Sequence, residues 1–190
     1  MKRILSVLLC AAALLSLAAC GAASTGTPAE PDAPASALEI LETVWSTYTD
    51  DEKFPAAGGD SSEENMRTDA PGAFSVADAD TLDFSLGFPA AEADKIDDAA
   101  SLTHMLNTNT FTCGAYHAKS AADVPELCAA VRENILARRW MCGFPDKVVV
   151  VSSGEYVVAY FGLADIVDTF TAKLTAAYPN AKAVSDDPIE

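Results

Sequence analysis

The last ninety residues carry one order of elements twice, and that repetition narrows the folds open to this chain. The stretch "ASLTHMLNTNTFTCGAYHAK" reads as strand, turn and strand, followed by a helical stretch from Val124 to about Arg138. "KVVVVSSGEYVVAYFG" repeats the order, and its helix runs from about Ala164 to Tyr178, where Pro179 stops it. The copies lie about 45 residues apart, Phe111 answering to Tyr156. Leu127, Val131 and Ile135 make the buried stripe of the first helix, which Asp123 with Glu126 caps and Pro125 opens. Val167, Phe170, Leu174 and Tyr178 do the same for the second. Two such units predict an α+β fold: a four-stranded antiparallel sheet built from two strand-strand-helix units, with the helices packed on one face.

An N-terminal amphipathic helix is expected to complete the core. Ser36 to Glu39 has capping-box spacing, and Leu41, Val44, Trp45 and Tyr48 follow on one face, which predicts a helix from Ala37 to Thr49. From about Asp50 to Ala79 the chain is rich in Asp, Glu, Ser, Gly and Pro, including "AAGGDSSEEN", and reads as a long loop. A short helix is expected after Asp80, ending near Gly87. Residues 36–190 are enough for a single domain with one core. Ahead of them "GAASTGTPAEPDAPA" lacks large apolar groups and reads as a flexible tether over residues 20–35.

The chain begins with Lys2 and Arg3 and an apolar run of about sixteen residues, Ile4 to Ala19, in the order of an export signal. A bilayer-spanning helix needs about 20 residues, so the run is read as a signal over residues 1–19 rather than a permanent span. Leu17, Ala18, Ala19 and Cys20 resemble the lipobox of bacterial lipoprotein precursors. That resemblance implies cleavage between Ala19 and Cys20 and a diacylglyceryl group on the Cys20 sulfur, with no other cofactor. Two acyl chains hold a protein on a bilayer stably where one does not.

Charge decides which other partners are open. Against 12 Lys and Arg stand 28 Asp and Glu, a formal charge of −16, and losing Lys2 and Arg3 with the signal makes it more acidic still. Such a chain repels phosphate backbones and anionic headgroups, which excludes nucleic acid as a partner and leaves the lipid as the contact with the membrane.

The stretches "LGFPAAEADKIDDAAS", "TCGAYHAKSAADVPEL" and "DKVVVVSSGEYVVAYFG", behind a lipobox and a Pro-rich tether, resemble the clostridial and other Firmicute lipoproteins grouped as domain of unknown function 4358. The resemblance covers roughly Leu86 to Tyr178 and the helix near Leu38. It implies an exported protein anchored on the outer face of the cytoplasmic membrane of a Gram-positive bacterium. It carries over no catalytic residue.

The candidate chemistry is sparse. Cys113, Cys128 and Cys142 remain beside Cys10 and Cys20, an odd number that permits one internal disulfide at most. Cys113 and Cys128 fall where small buried hydrophobes belong, and Cys142 is the exposed candidate for pairing or reaction. His104 and His117 sit on neighbouring expected strands, within reach of each other across a hairpin, but the paired ligand spacings of a zinc site are missing and no metal is expected. "DADTLD" starts like a calcium loop and fails at its fifth and sixth positions, so Asp80 is expected to cap a helix and Asp83 to sit in its first turn. Neither a GxSxG elbow nor a glycine-rich phosphate loop is present, and no catalytic residue is assigned. Arg138, Arg139 and Trp140 form the one basic-aromatic cluster. Read locally it is a helix C-terminus, with cations on the dipole and Trp140 closing the core; read functionally it is a docking cluster, since Arg and Trp anchor interfaces. The expected function is a non-catalytic binding or accessory role in the cell envelope with a protein partner. The alternative is a small-ligand-binding lipoprotein serving a transporter, for which a pocket between sheet and loop lined by aromatics would be the sign.

Overall fold

Seven consecutive residues, Tyr156 to Gly162, are buried, and a strand buried on both faces requires cover on both. The computed structural model describes residues 33–190. The signal, Ala19, Cys20 and most of the tether lie outside them. In chain order the elements are α1 (Ala37–Ser46), β1 (Ala56–Gly58), β2 (Arg67–Thr68), β3 (Gly72–Ala73), α2 (Ala79–Leu86), a 3-10 helix (Ala90–Lys95), β4 (Ile96–His104), β5 (Phe111–Ala118), α3 (Val124–Leu136), β6 (Lys147–Ser153), β7 (Tyr156–Gly162), α4 (Ala164–Ala177) and β8 (Lys182–Pro188).

The class is α+β, but the expected four-stranded sheet is overturned. One eight-stranded antiparallel sheet runs β2-β1-β4-β5-β7-β6-β8, with β3 also on β4. Helices on a single face are overturned as well. Along β7, Tyr156, Val158 and Tyr160 join the core under α1 and α4, while Val157, Ala159 and Phe161 join the core under α2 and α3. "VVVV" and "YVVAYF" are therefore unbroken apolar runs because both of their faces are covered.

The two faces follow from strand direction. β5 connects through α3 to β6, and β7 connects through α4 to β8; each crossover skips one strand and steps the same way across the sheet. β5 and β7 run in opposite directions. Two crossovers of one hand that leave antiparallel strands in the same sense must place their helices on opposite faces. The repeat itself holds for the strands: Phe111 pairs with Gly162, and shifting by the repeat offset turns that pair into Tyr156 with His117. It stops at the helices, because the second unit continues outward to β8.

Local chemistry sets the element ends. Ser36 Oγ accepts from the Glu39 amide at 3.1 Å, and Glu39 reaches back past the N-cap to accept from the Ala35 amide. α1 ends at Ser46, short of Thr49, because Thr47 folds its hydroxyl onto the Val44 carbonyl. α2 is capped by Asp78 rather than Asp80: the Asp78 carboxylate accepts from the amides of Asp80 and Thr81. Gly87 ends it at φ +72°, a conformation that costs glycine little.

The expected loop from Asp50 to Ala79 instead adds strands to β4. Gly58 and Gly72 lie so close that a Cβ on Gly58 would strike the backbone of residues 70–72, so the glycines mark close backbone approach rather than slack. Asp60 secures the turn, accepting from the amides of Ser62 and Ser75 and from Asn65 Nδ2. Burial opposes its charge, yet the bonds from Ser62, Asn65 and Ser75 prevail and hold its pKa down at about 2.

β8 protects the far edge. Arg132 of α3 grips Asp187 with two bonds of 2.7 and 2.6 Å, and Lys147 of β6 contacts Asp186 and Asp168. Ending the chain after Ala181 exposes the backbone of β6, an apolar strand, as a sheet edge. We expect a lower urea midpoint and concentration-dependent light scattering; an unchanged midpoint with a monodisperse monomer contradicts this pairing.

Candidate functional site

On the α2 and α3 side of the sheet, the end near the β4–β5 loop lacks large side chains. There β4 presents Ser101 and Thr103, and β5 presents Thr112 and Gly114, by strand alternation with Leu102 and Cys113 on the other face. Gly114 must be glycine, since its missing Cβ leaves the space occupied by the ring and hydroxyl of Tyr116. Over Ser101 and Thr103 lies a cleft of about 430 Å³. Phe84 and Leu86 of α2, Phe74, Phe161 and the segment Arg138 to Met141 form its walls, with Asp60 and Asn109 at the rim.

The structure brings Arg138, Arg139 and Trp140 together in that wall. Arg138 does complement a helix C-terminus, but of a different helix. Its guanidinium donates to the Phe84 carbonyl at 2.7 Å, an orphan of the last turn of α2, and to the Asp83 carbonyl at 3.5 Å, which also accepts from the Gly87 amide. One turn earlier on α3, Asn134 donates to the Asp83 carboxylate and the Gly87 carbonyl. Burial lowers the pKa of Arg138, opposed by Asp83, and an arginine stays charged throughout. The guanidinium also lies over the rings of Trp140 at 5.4 Å and Phe161 at 5.7 Å. Trp140 packs on Phe161 at 5.0 Å and so closes the core as its local reading requires.

Two residues at the mouth have no packing role. Phe84 is 81% exposed and Met141 78% exposed. Phe84 sits on α2 away from its buried stripe of Leu82 and Leu86, which was the available sign that it serves something other than the core. Asn107 and Asn109 were also missed. Asn107 Nδ2 donates to the Cys142 carbonyl, and Asn109 Nδ2 to the carbonyls of Met141 and Gly143, tying the β4–β5 loop to the segment after α3. The asparagines in "NTNT" marked a turn, and nothing local named the partner.

The other candidates are scattered. His104 lies at one end of the β4–β5 hairpin, stacked on Phe54 at 5.6 Å. His117 lies at the other, 2.6 Å from Asp97, so the two do not approach each other. Among the described residues no group of three His, Cys, Asp or Glu side chains is placed to hold a metal ion. Cys113, Cys128 and Cys142 are free thiols. Burial pushes the Cys113 thiol well above its usual value and Cys128 to about 11, which keeps both protonated and unreactive. Cys142 is exposed, at φ +64°.

No family model matches the chain, and neither does any curated protein or solved structure.

Arg138→Gln removes the charge and the fork that hold α2 against α3. We expect a loss of about 2 kcal/mol of stability in urea unfolding, the scale of a hydrogen bond to a charged group, with Arg138→Lys recovering only part. Equal stability of Arg138→Gln and the parent contradicts this role.

Proposed function

We propose that the protein is a lipid-anchored, extracytoplasmic binding protein that docks an envelope partner through the cleft of Arg138, Arg139 and Trp140. In this reading Cys20 carries the diacylglyceryl group and the domain works without chemistry of its own. The observation that carries it is the cleft: the basic-aromatic cluster stands in the wall of an indentation with Phe84 and Met141 exposed at its mouth. Arg and aromatic residues in a concave, partly desolvated patch are the usual anchors of an interface. Asp60, the acid at the rim, has its oxygens committed to three donors and a pKa near 2, which suits it to structure rather than to proton transfer.

The position of the tether favours an outward-facing partner. Pro34 accepts from Tyr156 Oη at 3.0 Å, and the Ala37 amide donates to Asp98 at 2.7 Å. Both anchor points lie at the end of the sheet opposite Thr103 and the cleft, roughly 17 Å along β4 at about 3.4 Å per residue. The export and anchoring parts rest on residues 1–20 and on their resemblance to a lipobox. Among the described residues no helix is long and apolar enough to cross a membrane.

A second reading, a small-ligand protein serving a transporter, is favoured by one observation: the cleft lies between sheet and loops and is lined by aromatics.

The test is crosslinking with mass spectrometry on intact cells, reading the lipid mass on the N-terminal peptide and comparing the native protein with Cys20→Ser. We expect lipid on Cys20 and a membrane-side protein captured by the native form alone. Absence of lipid on Cys20, or identical captures by both forms, contradicts the proposal.

A further inference from the structure

Several of the cleft's hydrogen-bonding groups are already committed within the protein. Ser101 Oγ accepts from the Gly59 amide at 2.9 Å and donates to the Gly59 carbonyl at 3.2 Å, and Thr103 donates to the Ala57 carbonyl. The Asp60 carboxylate takes three donors. Two cations stand in its wall. Among the described residues Lys95, Arg132, Lys147 and Lys173 are ion-paired with carboxylates; Arg138 and Arg139, like Lys53, Arg67, Lys119 and Lys182, are not, and Arg138 already donates to the Phe84 and Asp83 carbonyls. The indole Nε1 of Trp140 is buried with no hydrogen-bond partner. Buried polar groups are seldom left unpaired in folded proteins, and where they are the site calls for an explanation.

We infer that the cleft binds a small amphipathic anion, one oxyanion head on a flat apolar body, with the head at Arg139 and Arg138 and the body against Trp140, Phe84 and Met141. This rests on the second reading above, the cleft as a small-ligand site, and narrows its ligand. A guanidinium fork matches carboxylate and phosphate oxygens alike, so the shared chemistry is the oxyanion. A volume of about 430 Å³ lies in the range of small-molecule sites and suits a bicyclic aromatic acid. The protein's charge of −16 repels anions at long range. Affinity must then come from contact inside the cleft, where apolar burial adds to the charge-assisted bonds. This explains a ligand with both parts: a bare inorganic anion lacks the apolar gain, and a neutral aromatic leaves the arginines unanswered.

The test is calorimetric titration of the full chain in phosphatidylcholine nanodiscs, with empty discs subtracted, using naphthalene-2-acetate, 2-naphthyl phosphate and the neutral 2-(2-naphthyl)ethanol. Arg139→Ala is the informative variant because Arg139 is exposed and makes no structural bond to α2, unlike Arg138. We expect at least one of the two anions to bind about tenfold more tightly than the alcohol. Arg139→Ala should remove most of that difference while leaving the alcohol and the thermal unfolding midpoint unchanged. Preference for the phosphate over the carboxylate assigns a phosphorylated source, and the reverse a carboxylic acid. Equal binding of acid and alcohol overturns the anion inference and leaves the binding cleft standing. No binding of any of the three overturns the small-ligand cleft, and the envelope-partner reading is then decided by the crosslinking alone.

Discussion

The pairing of β5 with β7 is the constraint on which the other elements depend. These strands are the second members of two successive hairpins, laid antiparallel in register from Phe111 with Gly162 to His117 with Tyr156. They form the middle of the sheet and are buried on both faces, so neither can stay in water on either side. Burial of large side chains such as Tyr116, Tyr160, Phe111 and Phe161 is worth roughly 1.5–3 kcal/mol each. That gain requires a helix layer above and another below. The chain supplies them by leaving β5 and β7 in opposite directions, which sends α3 to one face and α4 to the other.

The cleft follows from how the α2 and α3 layer is completed. α2 is a short helix that cannot hold its position alone. It is fixed at its C-terminus by Asn134 in the last turn of α3 and by Arg138 just beyond the end of that helix, and Gly87 lets the chain turn close against Ile135. Beyond that clamp β4 offers the cleft only Ser101 and Thr103, and the layer stops before covering them. The same arginine thus builds the wall and leaves a cationic, aromatic surface facing the gap.

Much of the scaffold was legible because its signals are local. The helical stripes of Leu41 and Val44, of Leu127 and Val131, and of Phe170 and Leu174 are buried as their spacing implies, and the "SSGEY" turn closes with Gly154 at φ +59°. What escaped depends on partners distant in sequence. β8, "KAVSDDP", has no apolar alternation because it is an exposed edge held by Arg132 and Lys147, so nothing in its composition announces a strand. β1 to β3 are two or three residues long, with β1 and β3 held on the edge of β4 and β2 on β1. The unbroken run of valines did carry the message of a sheet covered on both faces, but the repeated order of elements argued for symmetry and one helical layer. At the site, the cluster of Arg138, Arg139 and Trp140 was visible, whereas Phe84 and Asn109 join it only through the fold.

The most direct check of this architecture is a pair of side-chain contacts read by nuclear Overhauser effects in solution. Tyr160 and Phe161 are adjacent in β7 and point to opposite faces. The account predicts that Tyr160 contacts Phe170 of α4, 4.8 Å between ring centres, while Phe161 contacts Trp140 at 5.0 Å and not Phe170. Contacts from Phe161 to Phe170, or from both rings to the same helix, contradict a sheet covered on both faces and remove the cleft with it.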